Sequence, residues 1–192
     1  MRLSVKTDAG QGTSRKRVYL AGPEVFLPDP DRVARALKER CAAHGLEGVF
    51  PLDAGLALND LTAAGQAQAI FNANIDLIRG CDGVIANMTP FRGPSMDVGT
   101  AFEMGFAAAL GKPVIGYTDD LGEYVDRVVT FYRGHVTREG CAWRDPDGLT
   151  IEDFSQVDNL MMCGAALAIT RDFDQALLAM RGVFGHSLAC VG

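Results

Sequence analysis

Short apolar runs alternate along this chain with longer stretches of helical periodicity, and the connections between them are only a few residues long. Residues 18–21 are followed by a helical pattern over 31–44, residues 49–52 by one over 65–79, and residues 83–88 by one over 98–110, before a further apolar run at 114–117. Repeated strand–helix units of this spacing build a parallel sheet with helices on both faces. Residues 165–169 supply a fifth strand ahead of a last helix from about 173 to 184. The predicted fold is therefore α/β: one doubly wound domain, flavodoxin-like or Rossmann-like, around a mostly parallel five-stranded sheet. Gly45, and Gly111 with Pro113, fall where helices of this pattern need a left-handed cap and a stop. The stretch 119–153 is more polar and rich in Gly, Arg and Asp, and reads as an excursion with little core of its own.

Composition narrows the class of partner. At 192 residues, with 48% hydrophobic and 22% charged residues, the chain suits one domain able to bury a core, and residues 17–192 are expected to form it. Residues 1–16 read as a loose tail. A net charge of -6 and the lack of a basic cluster beyond Arg15-Lys16-Arg17 argue against nucleic acid, because phosphate contacts need grouped Lys and Arg. The five cysteines, Cys41, Cys81, Cys141, Cys163 and Cys190, show no C-x-x-C spacing and suit reduced thiols in a cytoplasm. Three histidines leave little for a metal centre, so no metal is expected. No run reaches the roughly 18 apolar residues of a membrane span, and the polar start lacks the apolar core of a signal peptide; a cytoplasmic protein without membrane contact is expected.

In open sheets of this kind, ligands sit beyond the carboxyl ends of the strands. Those ends carry Gly22-Pro23-Glu24, Asp53, residues 87–97 and Tyr117-Thr118. Neither G-x-G-x-x-G after the first strand nor G-x-x-x-x-G-K-[ST] occurs, so the common dinucleotide and P-loop cradles are missing.

Within this frame one residue is out of place. The third helical stretch, "DVGTAFEMGFAAALGKPV", carries Glu103 as its only charge between Val98 and Leu110. On a helix Glu103 shares its face with Gly99, Thr100, Phe106 and Ala107, small or apolar neighbours that leave room for a ligand. A buried carboxylate must be satisfied by donors, protonated or open to a cavity. Pairing with a tyrosine or backbone amide would meet that need in a purely structural role; a nucleophile in covalent glycosyl transfer would meet it too. Asp97 falls at the helix start, where it can cap free amides, contact a ligand, or both. In the preceding helix, "GQAQAIFNANIDLIRG", periodicity turns Asn74 inward and leaves Asp76 on the surface beside Arg79.

Four blocks, "VYLAGPEVF", "NIDLIRGCDGVIANMTPFRGP", "DVGTAFEMGFAAALGKPV" and "DNLMMCG", resemble the nucleoside 2-deoxyribosyltransferase family in order and spacing. The resemblance spans roughly residues 17–118 and 155–165. It implies an exchange in which Glu103 attacks C1′ of a 2′-deoxynucleoside, expels the base and holds a deoxyribosyl ester until another free nucleobase takes the sugar with retained configuration. Under the same resemblance Tyr19 orients Glu103, Asp97 receives the 5′-hydroxyl, and Phe26 flanks the base. Gly22 and Gly99 would border the substrate. Asn159 would reach the 5′-hydroxyl of a neighbouring subunit, which implies a homo-oligomer. No cofactor is implied, since both half-reactions are displacements.

One position departs from the family pattern. Many members carry Asp-Leu-Asn where this chain has Asn74-Ile75-Asp76, so an amide occupies the place of the base-side acid. Asn74 can bond a base edge but cannot deliver a proton. Asp53 or water is then the expected proton source. Related readings are an N-glycosidase acting on nucleosides or their 5′-monophosphates, and a non-catalytic nucleoside or nucleotide sensor. Asp97 would repel a phosphate, which favours an unphosphorylated substrate.

Overall fold

The computed structural model describes residues 15–187. Five strands, β1 (Lys16–Ala21), β2 (Leu46–Val49), β3 (Gly83–Asn87), β4 (Val114–Tyr117) and β8 (Ala168–Thr170), form one sheet in the order β2-β1-β3-β4-β8. All four pairings are parallel, as connections through helices require. The fold class expected from the sequence is the one observed. Of the tail expected over residues 1–16, residues 1–14 lie outside the described residues, as does Cys190, and Lys16 already belongs to β1.

Strand alternation sorts the core into two layers. Val18, Leu20, Ile85 and Ile115 pack under α1 (Pro30–Ala43) and α6 (Phe173–Ser187), with Leu37, Cys41, Leu177 and Met180 completing that side. Tyr19, Ala21, Val84, Ala86 and Val114 point the other way, against Ile78 of α2 (Ala63–Arg79) and Met104 and Ala107 of α3 (Val98–Ala109). Successive residues of a strand face opposite sides, so Tyr19 is committed to the layer that contains α2 and α3. The chain reverses direction across the sheet between β1 and β3, the place where such folds open a ligand crevice.

Helix ends follow local chemistry. Asp29 accepts from Arg32 N ahead of α1, Thr62 from Gly65 N ahead of α2, and Asp97 from Thr100 N ahead of α3. Gly45 and Gly111 take φ of 73° and 69°, the left-handed region where a Cβ is disfavoured.

Three expectations are corrected. Strand β2 ends at Val49, not Leu52, because Pro51, which has no amide to donate, opens a 3₁₀ turn over Pro51–Ala54. Strand β8 starts at Ala168, because Ala165 closes the short helix α5 (Leu160–Ala165). The excursion is more ordered than its composition suggests. It holds α4 (Tyr124–Phe131) and an antiparallel sheet of β5 (Thr137–Glu139), β6 (Ala142–Arg144) and β7 (Thr150–Ile151). Val125, Val128 and Ile151 form its own small core, backed by Tyr132, Val136 and Trp143.

Candidate active site

A cavity of about 520 Å³ lies beyond the carboxyl ends of β1 and β3, where the sheet reverses direction. Gly22, Phe26, Asn74, Asp97, Gly99 and Glu103, all singled out from the sequence, line it. Val25, Leu52, Leu56, Leu58 and Ile70 give it an apolar wall, and Thr100 adds a hydroxyl. A mostly apolar cleft with a few convergent polar groups suits a small organic ligand.

Glu103 sits on α3 between apolar turns, and the same layer brings Tyr19 beneath it. The Tyr19 hydroxyl donates to Glu103 Oε1 at 2.6 Å, and Asn74 Nδ2 lies 3.5 Å from the same oxygen. Oε2 accepts from neither. Burial pushes the Glu103 carboxyl up to about 7; the Tyr19 bond works against that rise, and the charge of Asp97 adds to it. Burial, reinforced by Glu103, pushes the Tyr19 phenol up, so it stays a donor. The group is thus a carboxylate near the midpoint of its titration at neutral pH, with one oxygen anchored and the other uncommitted.

Asp97 reaches the cavity from the first turn of α3. Its Oδ2 accepts from Thr100 N at 2.9 Å and Thr100 Oγ1 at 3.0 Å, so the cap and a cavity-facing position coexist. Phe26 stacks on Phe91 at 5.5 Å between centroids and 14° between planes, with the Arg92 guanidinium over both rings. Arg92 adopts φ 58°, an uncommon conformation for a residue with a Cβ.

Two sequence-picked residues stand elsewhere. Asp53 is not among the cavity-lining residues: its carboxylate accepts from Phe50 N at 2.8 Å and pairs with Lys38, which uses it as a turn cap and surface ion pair. Asn159 caps α5, accepting from Met161 N at 3.0 Å and donating to Glu152 Oε1 at 2.6 Å, away from the cavity of its own chain. Asp76 pairs with Arg79 on the surface at 3.1 Å, as its helical position predicts.

The sequence reading missed Glu24. Its Oε1 accepts from Asn87 Nδ2 at 2.7 Å and from Tyr117 Oη at 2.8 Å, pinning the turn Pro23–Phe26 to the ends of β3 and β4. Glu24, Asn87 and Tyr117 all appear at predicted strand ends, but only the sheet order brings them together.

The sequence profile of the nucleoside 2-deoxyribosyltransferase family matches residues 18–161. An uncharacterised protein of Schizosaccharomyces pombe is 35% identical over 159 residues, 77% of this chain and 75% of that protein. The solved structure of a 2-deoxyribosyltransferase from Leishmania mexicana is similar at 33% identity and a TM-score of 0.65, covering 85% of this chain and 95% of that one. A conserved protein from Enterococcus faecalis shares the fold at 22% identity and a TM-score of 0.54, over 86% of this chain and 96% of that one. On the family profile, which matches residues 18–161, and with three of the four sequence blocks contributing to one cavity, the chain belongs to the nucleoside 2-deoxyribosyltransferase family.

Proposed function

We propose that the chain transfers 2-deoxyribose between nucleobases by a retaining double displacement through a deoxyribosyl ester of Glu103. The observation that carries the reading is Glu103 itself, a cavity-lining carboxylate with Oε1 held by Tyr19 at 2.6 Å. A lone pair of Oε2 forms the bond to C1′ as the glycosidic C–N bond breaks, and the departing base keeps that electron pair. In the second step a nitrogen of the incoming base attacks C1′ from the vacated face, the ester C–O bond breaks, and the carboxylate is restored. Two inversions give net retention.

Asp97 and Glu103 are the titratable side chains among the residues lining the cavity. Asn74 takes a hydrogen-bonding place on the base side, and water, not Asp53, supplies the proton to the leaving base. Phe26, seated on Phe91, offers a ring face to the base. Asp97 accepts from the 5′-hydroxyl and disfavours a 5′-phosphate by like-charge repulsion.

The reading includes a homo-oligomer. Val98 and Phe102 of α3 are 84% and 52% exposed and Phe71 of α2 is 47% exposed, an apolar face next to the cavity that suits burial against a second copy. Asn159, outside the lining of its own cavity, gives one Nδ2 proton to Glu152 and keeps the second for a neighbour's substrate. The free thiols of Cys41, Cys81, Cys141 and Cys163 suit a reducing cytoplasm, where the reaction would serve nucleoside salvage.

Incubation with deoxyinosine, with and without adenine, tests the reading. Deoxyadenosine formation supports transfer. Hypoxanthine released without an acceptor identifies hydrolysis, and binding with neither product identifies a sensor. Glu103→Ala removes transfer by at least about a thousandfold, and a 2-fluoro sugar donor should leave its adduct on Glu103; full activity or an adduct elsewhere refutes the nucleophile.

A further inference from the structure

We infer that Asp158 is a positioning residue for the sugar end of the cavity, holding the segment that presents Asp97, and that the region 119–159 contributes to the site through it. The inference rests on the reading that Asp97 accepts from the substrate's 5′-hydroxyl.

Asp158 is 1% exposed, and three donors converge on its carboxylate. Ser95 Oγ donates to Oδ1 at 2.5 Å, Asn159 N to the same oxygen at 2.7 Å, and Met96 N to Oδ2 at 2.9 Å. Two of those donors, Ser95 and Met96, immediately precede Asp97. A buried carboxylate with every oxygen engaged has one low-energy orientation, so it fixes the backbone that donates to it.

Arg127 of α4 supports the same segment from a second direction. Its Nε donates to Pro94 O at 2.9 Å and Nη1 to Gly122 O at 2.9 Å, while Nη2 donates to Val157 O. Within the segment, Phe91 N donates to Ser95 O at 2.9 Å, which closes the loop that also carries the ring beneath Phe26. Pro94 is therefore gripped by Arg127, and Ser95 and Met96 by Asp158, and the next residue is the cap whose carboxylate lines the cavity.

Asparagine at position 158 cannot reproduce the pattern. If its amide nitrogen faces Met96 N, two donors meet; if it faces Ser95, it meets Asn159 N instead. Either orientation releases one backbone amide, Met96 N beside Asp97 or Asn159 N.

The test compares a 2′-deoxynucleoside with its 2′,5′-dideoxy analogue, by turnover and by calorimetric binding, in wild type, Asp158→Asn and Asp97→Asn. Loss of the 5′-hydroxyl should cost wild type about tenfold or more in kcat/KM, the scale of a hydrogen bond to a charged group. In Asp158→Asn that ratio should fall to within about threefold, through a higher KM for the hydroxylated donor and unchanged kcat on the dideoxy analogue. General destabilisation would lower both substrates equally and leave the ratio intact. A folded Asp158→Asn that keeps the wild-type ratio overturns the inference. If Asp158→Asn does not fold, Ser95→Ala decides: a ratio lowered about twofold supports the inference, and a wild-type ratio overturns it. A wild-type protein that neither binds nor turns over the nucleosides refutes the transferase reading, and the inference falls with it; discrimination by wild type that survives Asp158→Asn refutes the inference alone.

Discussion

Tyr19 and Glu103 are 84 residues apart in the chain and meet through a 2.6 Å hydrogen bond from the phenol to Oε1. Strand alternation places Tyr19 on the α3 side of the sheet, and the burial that surrounds the pair pushes the carboxyl up while the phenol's donation works against that rise. Removing the hydroxyl removes that opposing influence. In Tyr19→Phe the acid limb of the kcat/KM profile should move to higher pH by about one pH unit, with activity at pH 6 falling about tenfold and activity at pH 9 falling less. A pH–rate profile that keeps its wild-type limb would refute this role for Tyr19.

The same carboxyl makes stability depend on pH. Its value is about 7 in the folded chain against an ordinary 4.5, so the folded state holds the proton more tightly than the unfolded state. The stabilisation is fully present below about pH 4.5 and is lost as pH rises through about 7. Glu103→Gln carries no such dependence. Relative to wild type it should gain on the order of 1–3 kcal/mol on going from pH 5 to pH 8. Denaturant titrations of both proteins at the two pH values measure the difference.

Asn74→Asp restores an ionisable group on the base side, 3.5 Å from Glu103 Oε1 at the position of the present amide nitrogen. Two carboxyls at that distance share a proton, and the one that keeps it can pass it to the leaving base. The variant's kcat should rise by about tenfold near pH 5–6, and its profile should become bell-shaped. Steady-state kinetics with one donor across pH checks both features; an unchanged profile would show that base departure does not depend on this position.

Gly22→Ala tests the anchor under Phe26. A Cβ at this position would come within 1.9 Å of Glu24 Oε2 and 3.0 Å of Asn87 Cβ, although the backbone, at φ 169°, is extended and accepts any residue. The Glu24 carboxylate must move, which strips Tyr117 Oη and Asn87 Nδ2 of their acceptor. The expected cost is about 1–3 kcal/mol in thermal or denaturant unfolding, together with a higher KM as Phe26 loses its seat. An alanine variant with unchanged stability and KM would show that the carboxylate relocates without consequence.

Much of this arrangement was legible in local pattern. Short apolar runs, helical spacing and the glycine caps at Gly45 and Gly111 marked the parallel sheet, and the lone charge on an apolar helix marked Glu103. Asn74 and Asp97 fell on the right faces for the same reason. What local pattern misjudged depends on contacts between distant segments. The run Val49-Phe50-Pro51-Leu52 is apolar throughout, and its strand ends early because proline cannot continue the ladder. Asp53, at a strand end by pattern, is consumed by Lys38 and a turn. Glu24 and Asp158 were passed over because their partners are 63 to 93 and 62 to 63 residues away respectively. Phe102 and Val98 belong to a helix whose residues are nearly all apolar, yet both stay exposed, Phe102 touching Phe71 of α2 at 5.9 Å between ring centroids.

The accessory three-stranded sheet keeps its own nucleus of Val125, Val128 and Ile151, separate from the two layers of the central sheet. Such a nucleus can breathe without unzipping the main ladder. Helix α4 also carries Arg127 between Val125 and Val128, so a local opening of that nucleus would slacken the hold on Pro94 and reach the turn ahead of Asp97 while leaving the central sheet intact.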